Sequence, residues 1–374
     1  MSRGMQEIFD RIPDPRKGNA ILHKLSEALI IAVLSVMCGM EYFTEMEMFA
    51  IEQEEWLKKF LELRNGVPSH DTFGDIFAVI EPEAITEVFT EWTETLREKI
   101  DKEVIGIDGK SICASRDVPK KKKAVHMVSA WATQNRLILG EVATSEKSNE
   151  ITAIPQLLEM LELTGCIVTI DAMGTQTKIV EKIIEKGADY VLPVKENQPQ
   201  LLQDIRLYFD DYNNSNETTQ TLETAQTMEK DHGRIEKREC IISKDIDWLD
   251  PEGNWKNLAG IAKITSTTEM LSTGVVESSE QYLIFSARDL DAAQVLDARR
   301  AHWGVESMHW SLDVCLREDE CRVRTNHAAK IFNIVRHFVM NLLSRESSSK
   351  GGISSKRKRC ALSSAYREKC LRIS

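Results

Sequence analysis

In "EVIGIDGKSICAS", residues 103–115, Val104, Ile105 and Ile107 run straight into Asp108, with Gly109 and Lys110 behind it. The branched apolar run reads as a strand, and Asp108 reads as its end. Asp-Gly is also a common turn pair, so this stretch alone does not decide between a turn and a site. A second stretch repeats the arrangement. In "IVTIDAMGTQ", residues 167–176, Asp171 follows another apolar strand. Ligands of open α/β sheets gather at the carboxyl ends of strands, so two such aspartates form a candidate site.

Working outward, residues 101–213 alternate between strand and helix patterns. "VIGI", "AVHMVSAWAT" and "LILGEVAT" read as three strands with short links, hence antiparallel neighbours. "NEITAIPQLLEMLEL" reads as a helix, "CIVTI" as a fourth strand and "TQTKIVEKIIEK" as a helix stopped by Gly187. "DYVLPV" is then a fifth strand and "QPQLLQDIRLYFDD" a helix. Strand–helix–strand links of this length demand parallel crossovers. The order resembles a ribonuclease-H-like mixed α/β sheet and sets the strand carrying Asp108 beside the strand carrying Asp171. Residues 1–100 read as helices only, including "LSEALIIAVLSVMCGM", "EEWLKKFLELR" and "PEAITEVFTEWTETLREKI". Residues 214–230 read as a polar loop, and the β-like text after them as a β-rich insertion. "NHAAKIFNIVRHFVMNLLSRE" is a final amphipathic helix, and the Ser/Gly/Lys-rich end reads as a flexible basic tail.

Composition narrows the function classes. Net charge over 374 residues is −11, which argues against a general nucleic-acid coat. The charge is uneven. Residues 1–100 carry 10 Lys/Arg against 19 Asp/Glu, and residues 345–374 carry 9 against 2. No secretory leader is read at the start, and the apolar run Leu25 to Met40 carries Glu27 and is too short to span a bilayer. Eight scattered cysteines without a CxxC pair suit a reducing cytoplasm with free thiols. No phosphate-binding loop motif is present, so no nucleotide cofactor is expected.

Two adjacent, partly buried carboxylates repel, and a divalent cation relieves the repulsion; hard oxygen donors favour Mg2+ or Mn2+. A third acid is sought in "ARRAHWGVESMHWSLDVCLREDECRVR", residues 298–324. On one continuous helix, Arg299, His302, Trp303, Glu306, His309, Trp310 and Asp313 share a face, with Glu306 at its centre. Asp313 competes for the role. Trp303 and Trp310 are read as core rather than as base-stacking groups. A zinc site from His302, His309, Cys315 and Cys321 has spacings that fit no common finger.

Eight segments then carry a resemblance: "IPDPRKGN", "NGVPSHDTF", "GIDGKSICAS", "EKSNEITAIPQLL", "TIDAMGTQ", "VKENQP", "HGRIEKRE" and the 302–324 stretch. In this order the chain resembles bacterial insertion-sequence transposases of the DDE class, in the branch of the H-repeat-associated proteins. The resemblance implies a catalytic and metal-binding triad, Asp108, Asp171 and Glu306, holding two Mg2+ or Mn2+ ions. It implies metal-dependent cleavage and strand transfer on double-stranded DNA, a homodimer on that DNA, and a cytoplasmic protein that joins the nucleoid when bound. It further implies a helical associated domain at 1–98 and a ribonuclease-H-like catalytic domain at 99–345. A β insertion lies at about 214–288, and the basic tail runs from 346 to 374. Backbone and base contacts are expected from Lys110, Lys195, Asn197, Gln198, Arg300, His302, Arg317, Arg322 and Arg324; "PKKKK", residues 119–123, is a further candidate. One departure stands out. Relatives place Tyr-x2-Arg-x3-Glu-x6-Lys around the last acid, whereas here His302 and Asp313 hold the Arg and Lys places. The rival reading is a decayed element protein that binds DNA without cutting it.

Overall fold

A computed structural model describes residues 3–18, 21–112, 125–144, 150–214, 222–231 and 233–372. The chain forms two compact units. One holds residues 100–108 and 154–305; the other holds 1–99, 109–153 and 306–374. The "PKKKK" run lies outside the described residues.

The first of these units is a large mixed sheet. Strand β1 (Val104–Ile112) enters it with its first half and pairs in parallel with β4 (Ile167–Ile170), which pairs in parallel with β5 (Asp189–Val194). Between β4 and β5 runs α8 (Thr177–Glu185), which buries Ile179, Val180 and Ile183. A parallel pair needs such a crossover, and the apolar stripe of this helix supplies its packing face. The helix ends before Gly187, whose φ of 70° is the left-handed turn that glycine takes without strain. Beyond β5 the sheet turns antiparallel, in the order β5, β9 (Val276–Phe285), β8 (Gly260–Met270), β7 (Arg234–Ser243) and β6 (Glu223–Asp231). Helix α10 (Ala292–Ala301) starts in a capping box between Asp291 and Gln294. It lays Val295, Leu296 and Ala298 on Ile264, Leu283 and Phe285.

In the other unit, β2 (Val125–Ala132) and β3 (Leu137–Thr144) pair antiparallel as expected, and Arg136 takes φ 58° in the turn between them. Every residue of α2 (Leu25–Met37) is buried, including Glu27. It lies among α1 (Arg3–Phe9), α3 (Phe43–Glu52) and α12 (Ala328–Arg345), which explains an apolar run with no polar face. Helices α5 (His70–Val79) and α6 (Pro82–Leu96) complete the N-terminal group, α5 capped by Ser69. No described helix is long and apolar enough to cross a membrane.

Four expectations are corrected. Strand β1 does not end at Asp108 but continues to Ile112, beyond its last rung with β4. The "EEWLKKFLELR" segment forms a single turn, α4 (Glu54–Leu57), rather than a long helix. Residues 223–231 are strand β6, not loop. Its polar side chains suit an edge strand paired on one side, and an edge carries no apolar alternation to read. The basic end is not a flexible tail. It forms α13 (Ile353–Leu362) and α14 (Ser364–Leu371), with Lys356, Arg357, Cys360, Tyr366 and Arg367 buried.

A candidate acidic site past the last β1–β4 rung

The β1–β4 register pairs Val104 with Ile167, Gly106 with Thr169 and Ile107 with Ile170. Asp108 and Asp171 are therefore the first residues past the last rung on two neighbouring parallel strands. Both are half-buried. Adjacent strands lie ~4.8 Å apart, so the two residues follow neighbouring positions on adjacent strands.

The turn after Asp171 is built to hold its position. Asp171 caps a 3₁₀ turn, Ala172–Gly174, its Oδ1 accepting from the Gly174 N–H at 3.2 Å. Gly174 is required there, since a Cβ would stand 2.2 Å from Ile170 Cγ2. The turn is also braced from the loop after β5. Asn197 Nδ2 donates to the Ala172 carbonyl at 2.7 Å, Gln198 Nε2 to the Thr175 carbonyl at 3.0 Å, and Thr175 Oγ1 to the Pro193 carbonyl at 2.6 Å. On the other strand, Gly106 leaves room for Val305 and His302. His302 is 4% exposed and hydrogen-bonded to Thr169 of β4, with 3.2 Å between Nδ1 and Oγ1.

Two half-buried carboxylates on adjacent strands are a donor set that a hard divalent cation fits. Glu306 stands in the first turn of α11 (Trp303–Val314), is exposed, and opens the last segment of the other unit. Among the described residues, no group of three or more His, Cys, Asp or Glu side chains is gathered as a metal site.

Residues 99–342 match the family described as the transposase DDE domain, and residues 6–93 match the family described as associated with it. The chain belongs to the DDE transposase family. It is 40% identical to "Putative transposase YncI" of Escherichia coli O157:H7 over 99% of this chain and 94% of that protein. It is 36% identical to "H repeat-associated putative transposase YhhI" of Escherichia coli strain K12, over 97% and 96% respectively. Among solved structures it is similar to a piggyBac transposase synaptic complex with hairpin DNA. That match has TM-score 0.42 and 11% identity over 98% of this chain and 77% of that one.

The residues of this family member expected at DNA are placed unevenly. Lys195, Arg322 and Arg324 are exposed. Arg317, at a left-handed φ of 52°, is exposed and paired with Glu320 at 2.7 Å. Arg300 pairs with Glu229 at 2.5 Å. Asn197 and Gln198 spend their amide donors on the Asp171 turn. His302 is buried, which leaves it no face for a phosphate; it sits under the β1–β4 pair instead. Lys110 is mostly buried and bridges Asp313 and Glu318, so Asp313 is an ion-pair partner. Burial pulls the Lys110 pKa down, but the two carboxylates outweigh it and hold the ammonium above its usual value.

The helix drawn through Arg299 to Asp313 is divided into α10 and α11, with His302 between them at φ −56° and ψ −33°. Trp303 and Trp310 are 63% and 60% exposed, against the expected core placement. The zinc alternative has no gathered donor group among the described residues.

Sequence reading missed two buried polar clusters, both in the unit that contains β2 and β3. His126 Nε2 meets Glu150 Oε1 at 2.7 Å and its Nδ1 meets Ser111 Oγ at 2.9 Å. Gly109 leaves space for that pair, since a Cβ would stand 2.5 Å from Glu150 Oε1. On β3, Glu141 accepts from Asn333 Nδ2 at 2.9 Å and lies 3.0 Å from His337. Burial, reinforced by the charge of Glu318, raises the Glu141 pKa well above its usual value. Burial, with His309, Lys110 and Arg336 nearby, lowers that of His337 to about 3. The available signal was a lone polar residue inside an apolar strand, His126 in "AVHMVSAW" and Glu141 in "LILGEVAT".

Proposed function

We propose that the chain is a DNA transposase that cleaves phosphodiester bonds at the ends of an insertion-sequence element and joins them to target DNA. The observation that carries this reading is the register that leaves Asp108 and Asp171 side by side past Ile107 and Ile170. Asp108, Asp171 and Glu306 would hold two divalent cations, Mg2+ or Mn2+. Such ions supply charge stabilisation to both oxygens of an in-line displacement. The chain's own contribution is placement. The β1–β4 register fixes the positions of Asp108 and Asp171, the turn braced by Asn197 and Gln198 keeps Asp171 oriented, and Glu306, in the first turn of α11, would supply the third carboxylate. Lys195, Arg317, Arg322 and Arg324 are the exposed cations that would meet DNA phosphates. Water and then a DNA 3′-hydroxyl serve as nucleophiles, so no protein nucleophile is required.

The reading includes a ribonuclease-H-like catalytic domain at 99–345 with its β insertion at about 214–288, and a helical associated domain at 1–98. Its support is the antiparallel β2–β3 pair together with the parallel pairing of β1, β4 and β5. A homodimer on DNA and a cytoplasmic site of action follow by analogy only.

The test is cleavage of supercoiled DNA carrying the element ends, with Mg2+, with Mn2+ and with chelator. Metal-dependent nicking that is lost in Asp108→Asn, Asp171→Asn and Glu306→Gln supports the reading. The binding-only alternative is established instead if DNA is retained but never cut with either ion.

A further inference from the structure

Two thiols meet where α13 and α14 pack together. Cys360 lies in α13 and Cys370 in α14, ten residues apart in sequence, and their Sγ atoms stand 3.7 Å from each other. Both side chains are fully buried. Ser363 turns the chain between the two helices and caps α14, its Oγ accepting from the Tyr366 N–H at 3.3 Å. A covalent S–S bond is ~2.05 Å long, so the sulfurs need to close by ~1.7 Å, a distance that small side-chain rotations cover.

The two sulfurs differ in character. The hydrogen bond from the Cys360 S–H outweighs burial and lowers the Cys370 pKa, and the Lys356 ammonium acts the same way. That hydrogen bond, reinforced by burial, raises the pKa of Cys360. A third thiol, Cys38 at the end of α2, is a neighbour of both, but burial pushes it up to about 11. A thiolate is the nucleophile in disulfide exchange, so Cys370 is the attacking sulfur. The hairpin that carries the pair is fastened to the N-terminal helices. Arg357 of α13 donates to the Val36 carbonyl and to Glu41. Arg367 of α14 donates from Nη2 to Gln53 Oε1 at 2.7 Å, and its guanidinium lies 4.4 Å from the centre of the Trp56 ring. All of these residues belong to the unit that holds 1–99 and 306–374.

We propose that Cys360 and Cys370 are a modification site, closing into a reversible disulfide that locks the α13–α14 hairpin when low-molecular-weight disulfides accumulate. The Cys370 thiolate attacks one sulfur of the small disulfide. Its S–S bond breaks, one small thiolate leaves, and Cys370 carries a mixed disulfide. Cys360 gives its proton to that released thiolate and attacks the Cys370 sulfur, which expels the second small thiolate; this takes up the proton that Cys370 gave to solvent. Two protein thiols are oxidised and one small disulfide is reduced to two thiols. Access comes from local opening of α14, since a helix of eight residues is marginal by itself. The site goes beyond the cleavage reading and uses none of Asp108, Asp171 or Glu306.

The test is incubation of the full chain with mixtures of oxidised and reduced glutathione, followed by alkylation, unfolding and peptide mapping. It is run in buffer and again in urea just below the unfolding transition, until the half-buried Cys315 carries glutathione. A Cys360–Cys370 cross-link should form in wild type, with Cys38, Cys166 and Cys240 still free, and dithiothreitol should reverse it. The urea midpoint of the oxidised chain should rise by ~0.5–1 M, because the cross-link restricts the unfolded chain. Cys360→Ala should trap glutathione on Cys370, and Cys370→Ala should show no rise. The mapping is made on the wild-type chain, so it stands even where a variant fails to fold. Cys360 and Cys370 both recovered as free thiols in urea after Cys315 has reacted, a cross-link from Cys370 to Cys38, or an equal rise in Cys370→Ala overturns the assignment.

Discussion

Asp108 and Asp171 extend two neighbouring parallel strands past their last paired residues, Ile107 and Ile170. Two half-buried carboxylates so placed repel when no cation is bound, and that repulsion costs stability. In chelator, Asp108→Asn and Asp171→Asn should melt at or above the wild-type temperature. Adding Mg2+ or Mn2+ should raise the melting temperature of wild type and leave both variants nearly unmoved, because only a group that binds the folded state stabilises it. Cleavage should fall by more than the ~10–100-fold typical of losing an outer-shell partner of a metal ligand. Calorimetry with and without metal, beside a nicking assay, checks both halves.

The Asp171 turn depends on a missing side chain. Gly174→Ala places a methyl against Ile170 Cγ2, and Ile170 is itself buried in the β4 strand. The expected loss is about 1–3 kcal/mol, the usual cost of overpacking, read from urea unfolding. Cleavage should drop further than stability explains, because the carbonyls that Asn197 and Gln198 hold move with the turn. An alanine at Gly66, where a Cβ would meet nothing within 4 Å but φ is +73°, tests backbone strain without overpacking and should spare cleavage.

Lys110 separates a DNA contact from an internal counter-ion. Its ammonium bridges Asp313 and Glu318, and the Glu318 side chain is 2% exposed. Lys110→Met strands a buried carboxylate, and removing one partner of a buried pair costs ~3–5 kcal/mol. Lys110→Met with Glu318→Gln should recover much of that loss. If urea unfolding shows Lys110→Met to be neutral and only DNA affinity falls, the counter-ion role is wrong.

Glu141 and His337 set opposite pH slopes. The folded pKa of Glu141 is raised by burial, so the folded state holds a proton that the unfolded state releases above its ordinary value of 4.5. Stability from this group is therefore lost as pH rises. His337, lowered to about 3, stays neutral when folded but is protonated when unfolded below 6.5, so its contribution is lost as pH falls through that window. Glu141→Gln keeps an acceptor for Asn333 Nδ2 and removes the ionisation. It should raise the melting temperature at pH 8 and show a shrinking advantage towards pH 5. A melting series across pH 5–8 checks the sign.

These residues also show what the sequence could and could not disclose. The Asp108–Asp171 relation was legible because each acid follows an apolar strand, and the helices between those strands force parallel pairing. The hydrogen bond between Glu141 and Asn333 joins positions 192 residues apart, so local text carries no trace of it. Strand β6 was hidden for another reason, since an edge strand with a polar outward surface has no alternation to read. The face drawn through Arg299, Glu306 and Asp313 assumed one helix, and the chain divides it at His302 into α10 and α11.

Composition misled most at the chain's end, where Lys and Arg were read as signs of disorder. Arg357 is buried and donates from Nε and Nη2 to the Val36 carbonyl at 3.1 and 2.8 Å, and from Nη2 to Glu41 Oε1 at 2.7 Å. Val36 lies in the last turn of α2, where its carbonyl also accepts from the Gly39 N–H at 3.1 Å and the helix dipole favours a cation. Arg357→Met should therefore cost about 3 kcal/mol or more, leaving Glu41 buried without its nearest partner. Lys358, one residue on and exposed, is the control, and Lys358→Met should stay within ~0.5 kcal/mol of wild type. A flexible tail would make the two substitutions equivalent in urea unfolding. A packed α13 makes them differ, and deleting residues 347–374 should then cost more than Arg357→Met, because the rest of the α13–α14 packing goes with it.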